Sequence, residues 1–295
     1  MATYIANFMP PANGYGTEIG DPAAPCSGQC AQDVAAYIKA GLTIPTPQVC
    51  ASDTGALCDG FEGASLDALK WSTTGSVSIS REQKYAGNQS VKIVGAGGGT
   101  TLNGINIDLT NLTSLRKNQY GRVMMRVTSA NALGGDFTLI EATGPANYTI
   151  PSSVSPMPAA KVDVAYSARI QGTDDKFMAN YTTFPKADWT TDCTNHGQVS
   201  AALPKDTWAC FEWHVDTTAN EVTYWLNGQL LDISVKNKAG ANCADHRQND
   251  LWTGPAKLDK LHLGIDQYQN TAKPRTLYLD DVVVDTQRVG CPAAP

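Results

Sequence analysis

The sequence predicts an all-β fold: a jelly-roll sandwich of two antiparallel sheets with a concave groove, preceded by a short N-terminal helical segment. Three observations carry this. From residue 51 onward apolar residues recur at every second position, the repeat of a strand with one face buried. The chain holds 26 Gly and 16 Pro, a turn-rich composition. Only one segment has helical spacing, so strands follow strands without the helical crossovers that a parallel sheet needs.

Residues 1–50 read as an N-terminal extension and linker. A Gly/Pro-rich run leads from Met9-Pro10-Pro11 to Pro25. Residues 29–40 then form an amphipathic helix, with Val34, Ala35 and Ile38 on one face and Gly41 as its stop. Residues 43–47 are a linker. Residues 51–295 form one β domain, with strands expected at 77–80, 90–94, 121–127, 137–141, 161–170, 208–216, 221–226, 230–235, 258–265 and 277–284. Turn signals such as Ala86-Gly87-Asn88 and Asn227-Gly228 separate them.

Composition excludes several classes of function. The net charge is −6, with 22 basic and 28 acidic residues and no basic run, so a phosphate-binding surface for nucleic acid is not expected. No apolar stretch is long enough to span a membrane as a helix. Eight cysteines, an even number, fit an oxidising compartment: secreted, extracellular or periplasmic. Their pairing is open from composition alone, and the absence of Cys-x-x-Cys argues against zinc. Met1-Ala2-Thr3-Tyr4 does not open a signal peptide, so either the sequence starts at a chosen boundary or a leader has been removed. The chain carries no G-x-S-x-G, H-E-x-x-H, P-loop or G-x-G-x-x-G motif.

Strand parity sorts the polar residues by face. Cys210, Glu212, His214 and Asp216 oppose the apolar Phe211, Trp213 and Val215. Asp163, Ser167, Arg169 and Gln171 share a face, as do Arg122 and Arg126, and Thr223, Trp225 and Asn227. His262, Asp266 and Tyr268 oppose Leu261, Leu263 and Ile265. On one concave sheet these residues would line a groove for an acidic polysaccharide, with rings stacking on sugars and Arg gripping carboxylates. The alternative is a solvated sheet face. A pair of carboxylates for glycoside hydrolysis is also open, from Glu141, Glu212 and Asp266. Separately, Glu62 after Asp59-Gly60-Phe61, the turn at 86–90 and Asp280-Asp281 offer hard oxygen ligands for Ca²⁺, or else a surface charge cluster.

Four blocks go further. They are Asp59-Gly60-Phe61-Glu62 with Lys70-Trp71; residues 86–95; Cys210-Phe211-Glu212-Trp213-His214 with Trp225-Leu226-Asn227-Gly228; and Leu279-Asp280-Asp281 with Arg288-Val289-Gly290-Cys291. Through these blocks residues 58–291 resemble the fungal cellulose-induced secreted proteins and their bacterial relatives, single-domain jelly rolls similar to glucuronan and alginate lyases. The resemblance implies a structural calcium on Glu62, the Ala86 carbonyl, Gln89 and Asp280, with Gln89 standing where the family pattern has Asn. It implies a Cys210–Cys291 bridge; Cys193–Cys243, Cys26–Cys30 and Cys50–Cys58 are then expected. In the groove Arg169, Asn227 and Tyr268 match the family pattern, while Ser167 occupies the position of a family His.

The activity so implied is β-elimination on a uronic-acid polysaccharide. Arg169 and Asn227 would neutralise the substrate carboxylate. Tyr268 or His214 would take the proton, and Tyr268 would protonate the leaving oxygen. Arg126, Glu212, Trp225 and Gln171 would bind the chain. Arg122, Arg126 and Arg169 would concentrate positive charge in the groove of a monomer. The alternative is a non-catalytic carbohydrate-binding module of a plant or algal cell-wall degrading system. Residues 1–50 are similar to the tail of a c-type cytochrome domain, with Met9 at an axial-ligand position, but without the Cys-x-x-Cys-His that attaches haem.

Overall fold

The period-two segments pair into two antiparallel sheets. The computed structural model describes residues 57–128, 135–145, 163–171, 175–183, 191–193, 201–231, 233, 235–236, 239–240 and 255–292. The chain divides into two units, Met1–Thr46 and Pro47–Pro295, and every described residue belongs to the second. The expected helix at 29–40, the cytochrome-like segment, the pair Cys26–Cys30, Cys50 and Cys243 lie outside the described residues. Cys58 is disulfide-bonded.

The strands run β1 (Leu57–Asp59), β2 (Ser72–Thr74), β3 (Val77–Ser80), β4 (Ser90–Gly95), β5 (Gly104–Asp108), β6 (Asn118–Thr128), β7 (Phe137–Pro145), β8 (Asp163–Gln171) and β9 (Lys176–Thr183). They continue with β10 (Thr191–Cys193), β11 (Ala209–Asp216), β12 (Glu221–Leu226), β13 (Gln229–Leu230), β14 (Val235–Lys236), β15 (Ala239–Gly240), β16 (Lys260–Gln267) and β17 (Arg275–Asp285). The first sheet has the order β15-β14-β12-β11-β6-β17-β4-β3, with β1 added on β17 and β13 on β12. The second has the order β10-β9-β8-β7-β16-β5-β2. Long-range neighbours such as β6 and β17 give the non-sequential order of a jelly roll.

The inner faces supply the core: Val91, Ile93, Val123, Phe211, Trp213 and Leu277 from the first sheet, Ile105, Ile107, Leu139, Phe177, Leu261 and Leu263 from the second. Phe177 of β9 stacks on Phe211 of β11 with centroids 5.1 Å apart, which ties the sheets together. Trp213 is buried and lies over Gly121, its cross-strand partner. Its indole N–H donates to Gln119 Oε1 at 3.2 Å, so the ring is buried without an orphaned donor.

Two expectations change. The single strand expected at 230–235 is two short strands, because Leu231 and Ile233 between them turn into the core. β5 and β9 were not expected. Gly, Asn and Thr interrupt their apolar residues, and backbone pairing rather than a clean alternation defines them. Beyond β17 the chain crosses the outer face of the first sheet, where the Cys210–Cys291 disulfide fastens it to β11.

Candidate functional site

Among the described residues, the outer face of the second sheet carries a polar cluster around His262, and backbone pairing sets neighbouring strands in register with it. In register across it lie Asn106 of β5, His262 of β16, Glu141 of β7 and Ser167 of β8. The next row holds Asp266, Thr138 and Arg169, with Gln171 two residues further along β8. A bulge between Leu263 and Asp266 offsets the rows.

His262 is 5% exposed and held from both sides. Asn106 Nδ2 donates to Thr74 Oγ1 (3.2 Å) and the Ser72 carbonyl (3.4 Å), so Asn106 Oδ1 faces the ring. His262 Nδ1 lies 2.9 Å from that oxygen and therefore carries a hydrogen. Nε2 lies 3.2 Å from Asp266 Oδ2, an ion-pair distance without hydrogen-bond alignment. Asp266 Oδ1 accepts from the Asn103 backbone N–H at 3.1 Å. Gly104 and Gly264 flank the ring, and a Cβ at either would run into it. Tyr268, half-buried at the edge of the cluster, has its hydroxyl 2.9 Å from that of Thr138.

The remaining expected groove residues stand on the other sheet. His214 of β11 lies with Nε2 2.8 Å from Asn118 Oδ1 and stacks on Tyr120 at 3.9 Å; burial pushes its pKa down. Glu212, 1% exposed, receives two hydrogen bonds from Arg288, at 3.0 and 2.8 Å. The Arg288 guanidinium lies 4.3 Å over the Trp225 ring and covers it. Asn227 occupies a left-handed turn position (φ 49°), where its Oδ1 accepts from the Cys210 N–H at 2.9 Å. Arg126 Nη1 donates to the Asp206 carbonyl. Arg122 is buried beneath the C-terminal segment, donating to the carbonyls of Asp281 and Gly290 at 3.4 Å each.

So His214, Asn227, Arg126, Glu212, Trp225 and Arg122 belong to the first sheet and its turns, while Arg169 and Gln171 lie on β8 of the second and Tyr268 follows β16 of the second. Parity assigned each residue to the non-core face of its own strand. It carries no information on which sheet the strand joins, and the core separates the two outer faces. The parity reading itself sets His262 and Asp266 beside Tyr268, with Asp266 a candidate hydrolytic carboxylate and no role for His262. Their significance comes from Asn106, on a strand with no clean sequence signal.

A third cluster gathers the expected cation ligands. Both Glu62 oxygens accept the Asn88 N–H at 3.0 Å, and a Cβ at Gly87 (φ 60°) would strike that carboxylate. Gln89 Nε2 donates to the Phe61 carbonyl at 3.0 Å and to the Gly63 carbonyl. Asp280 Oδ2 accepts from the N–H groups of Tyr85 (2.8 Å) and Ala86 (3.2 Å), and Oδ1 from Asp281 (2.8 Å). The bulge between Asp280 and Val283, with Asp281 at φ 45°, puts both carboxyls at buried positions. Burial pushes the Asp280 pKa up to about 7 and raises that of Asp281, which the Arg122 charge partly offsets. The donors suit a hard cation: they are carboxylate, carboxamide and carbonyl oxygens around a buried acid with no lysine or arginine ion pair among the described residues.

With this geometry in view, residues 159–287 match the polysaccharide lyase-like family described as Cip1-like, core domain. Among solved structures, the chain is similar to the cellulose-induced protein Cip1, with 20% identity and a TM-score of 0.56 over 80% of this chain and 100% of that one. It is also similar to an endo-β-1,4-glucuronan lyase from the fungus Trichoderma reesei, at 11% identity and TM-score 0.45, covering 72% of this chain and 87% of that one. No curated protein matches. The Cip1 likeness gives the fold, a β-sandwich of the jelly-roll type.

Proposed function

We propose that the protein is a secreted polysaccharide lyase that cleaves a uronic-acid polymer by β-elimination on the outer face of the second sheet. The observation that carries this reading is the Tyr268 hydroxyl, hydrogen-bonded to Thr138, whose cross-strand partner is Arg169. β-Elimination needs the substrate carboxylate neutralised, so that its neighbouring C–H becomes acidic, and a group that moves the proton. Arg169 supplies the charge. Tyr268, acting as its phenolate, takes the C5 proton; the C4–C5 double bond forms as the C4–O bond breaks, and the phenol so formed returns the proton to the leaving glycosidic oxygen. His262, held between Asn106 and Asp266, shapes the floor beneath the sugar. The lyase-like family match and the disulfide chemistry of the chain support an extracellular polysaccharide as substrate.

Calcium fits the donors at Glu62, Ala86, Gln89 and Asp280. When bound it holds the loop at 86–89 against β17, and no step of the reaction passes through it.

Incubation with glucuronan, alginate and related polymers tests the reading by the absorbance of unsaturated uronates. Tyr268→Phe should lower turnover by about 100-fold or more while binding persists. No unsaturated product on any polymer removes the lyase reading. One observation favours a second reading, a non-catalytic carbohydrate-binding module: His262, the described imidazole on the second sheet, is 5% exposed, out of easy reach of a substrate proton. Binding without product selects it.

A further inference from the structure

The outer face of the first sheet, on the far side of the core from Tyr268, holds a cleft of about 500 Å³. Its walls include Tyr85, Arg126, Trp208, Asn227 and the Cys210–Cys291 disulfide. The size suits one or two sugar rings.

Arg126 is the unusual member. Nearby charges form pairs, Arg288 with Glu212, Lys92 with Glu82 and Lys205 with Asp175. Among the described residues no carboxylate pairs with Arg126. Its Nη1 donates to the Asp206 carbonyl, and its buried Nε has no partner. Beside it, the half-buried Trp208 meets Tyr85 edge-on at 6.0 Å, which builds an aromatic wall. Asn227 is exposed, and its Oδ1 is already taken by the Cys210 N–H, which leaves its Nδ2 to donate. The cleft therefore presents a guanidinium, an amide donor and a flat apolar wall. A carboxylated sugar answers all three: its C–H face packs on the indole, its carboxylate meets the guanidinium, and a hydroxyl takes the amide.

We propose that this cleft is a second binding site, for a uronate unit, separate from the groove on the second sheet. It rests on the reading that the substrate polymer carries carboxylates, but it needs no catalysis.

The test follows the Trp208 indole N–H signal in ¹⁵N-labelled full-length protein, assigned through Trp208→Phe. The probes are tetraglucuronate, neutral cellotetraose and acetate, and a Tyr268→Phe background keeps the probe intact. Tetraglucuronate should shift the signal saturably, and the other two should not. Arg126→Gln should raise the half-saturation concentration by about tenfold or more, and Arg126→Lys, which keeps charge without the planar fork, by less. A melting temperature close to the parent's shows that the ligand-free variants are folded. The proposal falls if tetraglucuronate leaves the signal still, if acetate shifts it equally, or if Arg126→Gln saturates like the parent. Unsaturated product is read separately, so failure of the lyase reading and failure of this site remain distinct.

Discussion

Glu212 shows what burial does to a single charge. Its carboxylate is almost fully enclosed, and Arg288, itself 39% exposed, supplies its described ion pair. Removing the guanidinium leaves the carboxylate desolvated without its partner. Breaking such a pair costs several kcal/mol when both charges are buried, and the exposure of Arg288 reduces this. Arg288→Ala should therefore cost about 2 kcal/mol in urea unfolding, and Glu212→Gln with Arg288→Ala less than the sum of the two. His214 gives a pH signature. Burial lowers its folded pKa below the ordinary value near 6.5, against weaker opposing effects of Asp216 and Glu221. Below about pH 6.5 the unfolded chain takes a proton that the folded chain declines, so stability is complete above that pH and falls as the pH drops through the lower folded value. His214→Gln should flatten that fall in urea midpoints compared between pH 7.5 and 5; an identical slope would remove His214 as the cause. Both residues were legible as outward-facing. Their partners were not: Arg288 lies beyond the last strand, and Asn118 precedes the expected start of β6.

At the scale of elements, the strands with the cleanest alternation were the legible ones. β3 and β12 fall where the period-two pattern put them, and β6, β11 and β17 within a few residues. β5, β9 and the short edge strands were not legible, because pairing with neighbours distant in sequence stabilises them more than their own composition does. The cost appears at the site, since β5 brings Asn106 to His262 and β9 continues the rows of β8. The same pairing makes Gly121 a sharp test. Trp213 lies directly across from it, and a Cβ there would fall within the indole ring. Gly121→Ala forces the largest fully buried side chain among the described residues out of place and should cost about 1–3 kcal/mol or more by chemical denaturation. A near-neutral result would mean that the inner faces are loosely packed. Gly104→Ala applies the same steric logic to the site. Its Cβ would strike both the His262 ring and the Leu263 backbone carbonyl, so it should displace His262 and lower stability together, read as weaker polymer binding and a lower urea midpoint.

For the whole molecule, the cation cluster joins distant parts of the chain: Glu62 after β1, the turn before β4, and Asp280 at the bulge of β17. The resemblance made this cluster legible, but the sequence could not show that Asp280 is fully enclosed, which decides its energetics. With its folded pKa raised to about 7, Asp280 keeps its proton between about pH 4 and 7 while the unfolded chain releases it. Metal-free protein is therefore most stable, as far as this group goes, below about pH 4, and loses that contribution as the pH rises through about 7. Calcium at the proposed site would bind the carboxylate form, so its stabilisation would have to displace a proton at pH 5 and not at pH 8. At a hundredfold excess over its dissociation constant the ion adds about 2.7 kcal/mol, which for a domain of this size corresponds to a rise of about 5–10 °C in melting temperature. Melting curves in chelator and in calcium should show that rise at pH 8 and a smaller one at pH 5. Asp280→Asn should remove both the calcium response and the loss of metal-free stability with rising pH, because the amide neither ionises nor offers a charged ligand. A calcium response of equal size at both pH values, or one that survives in Asp280→Asn, would place the ion elsewhere and leave the buried carboxyls as a neutral structural pair.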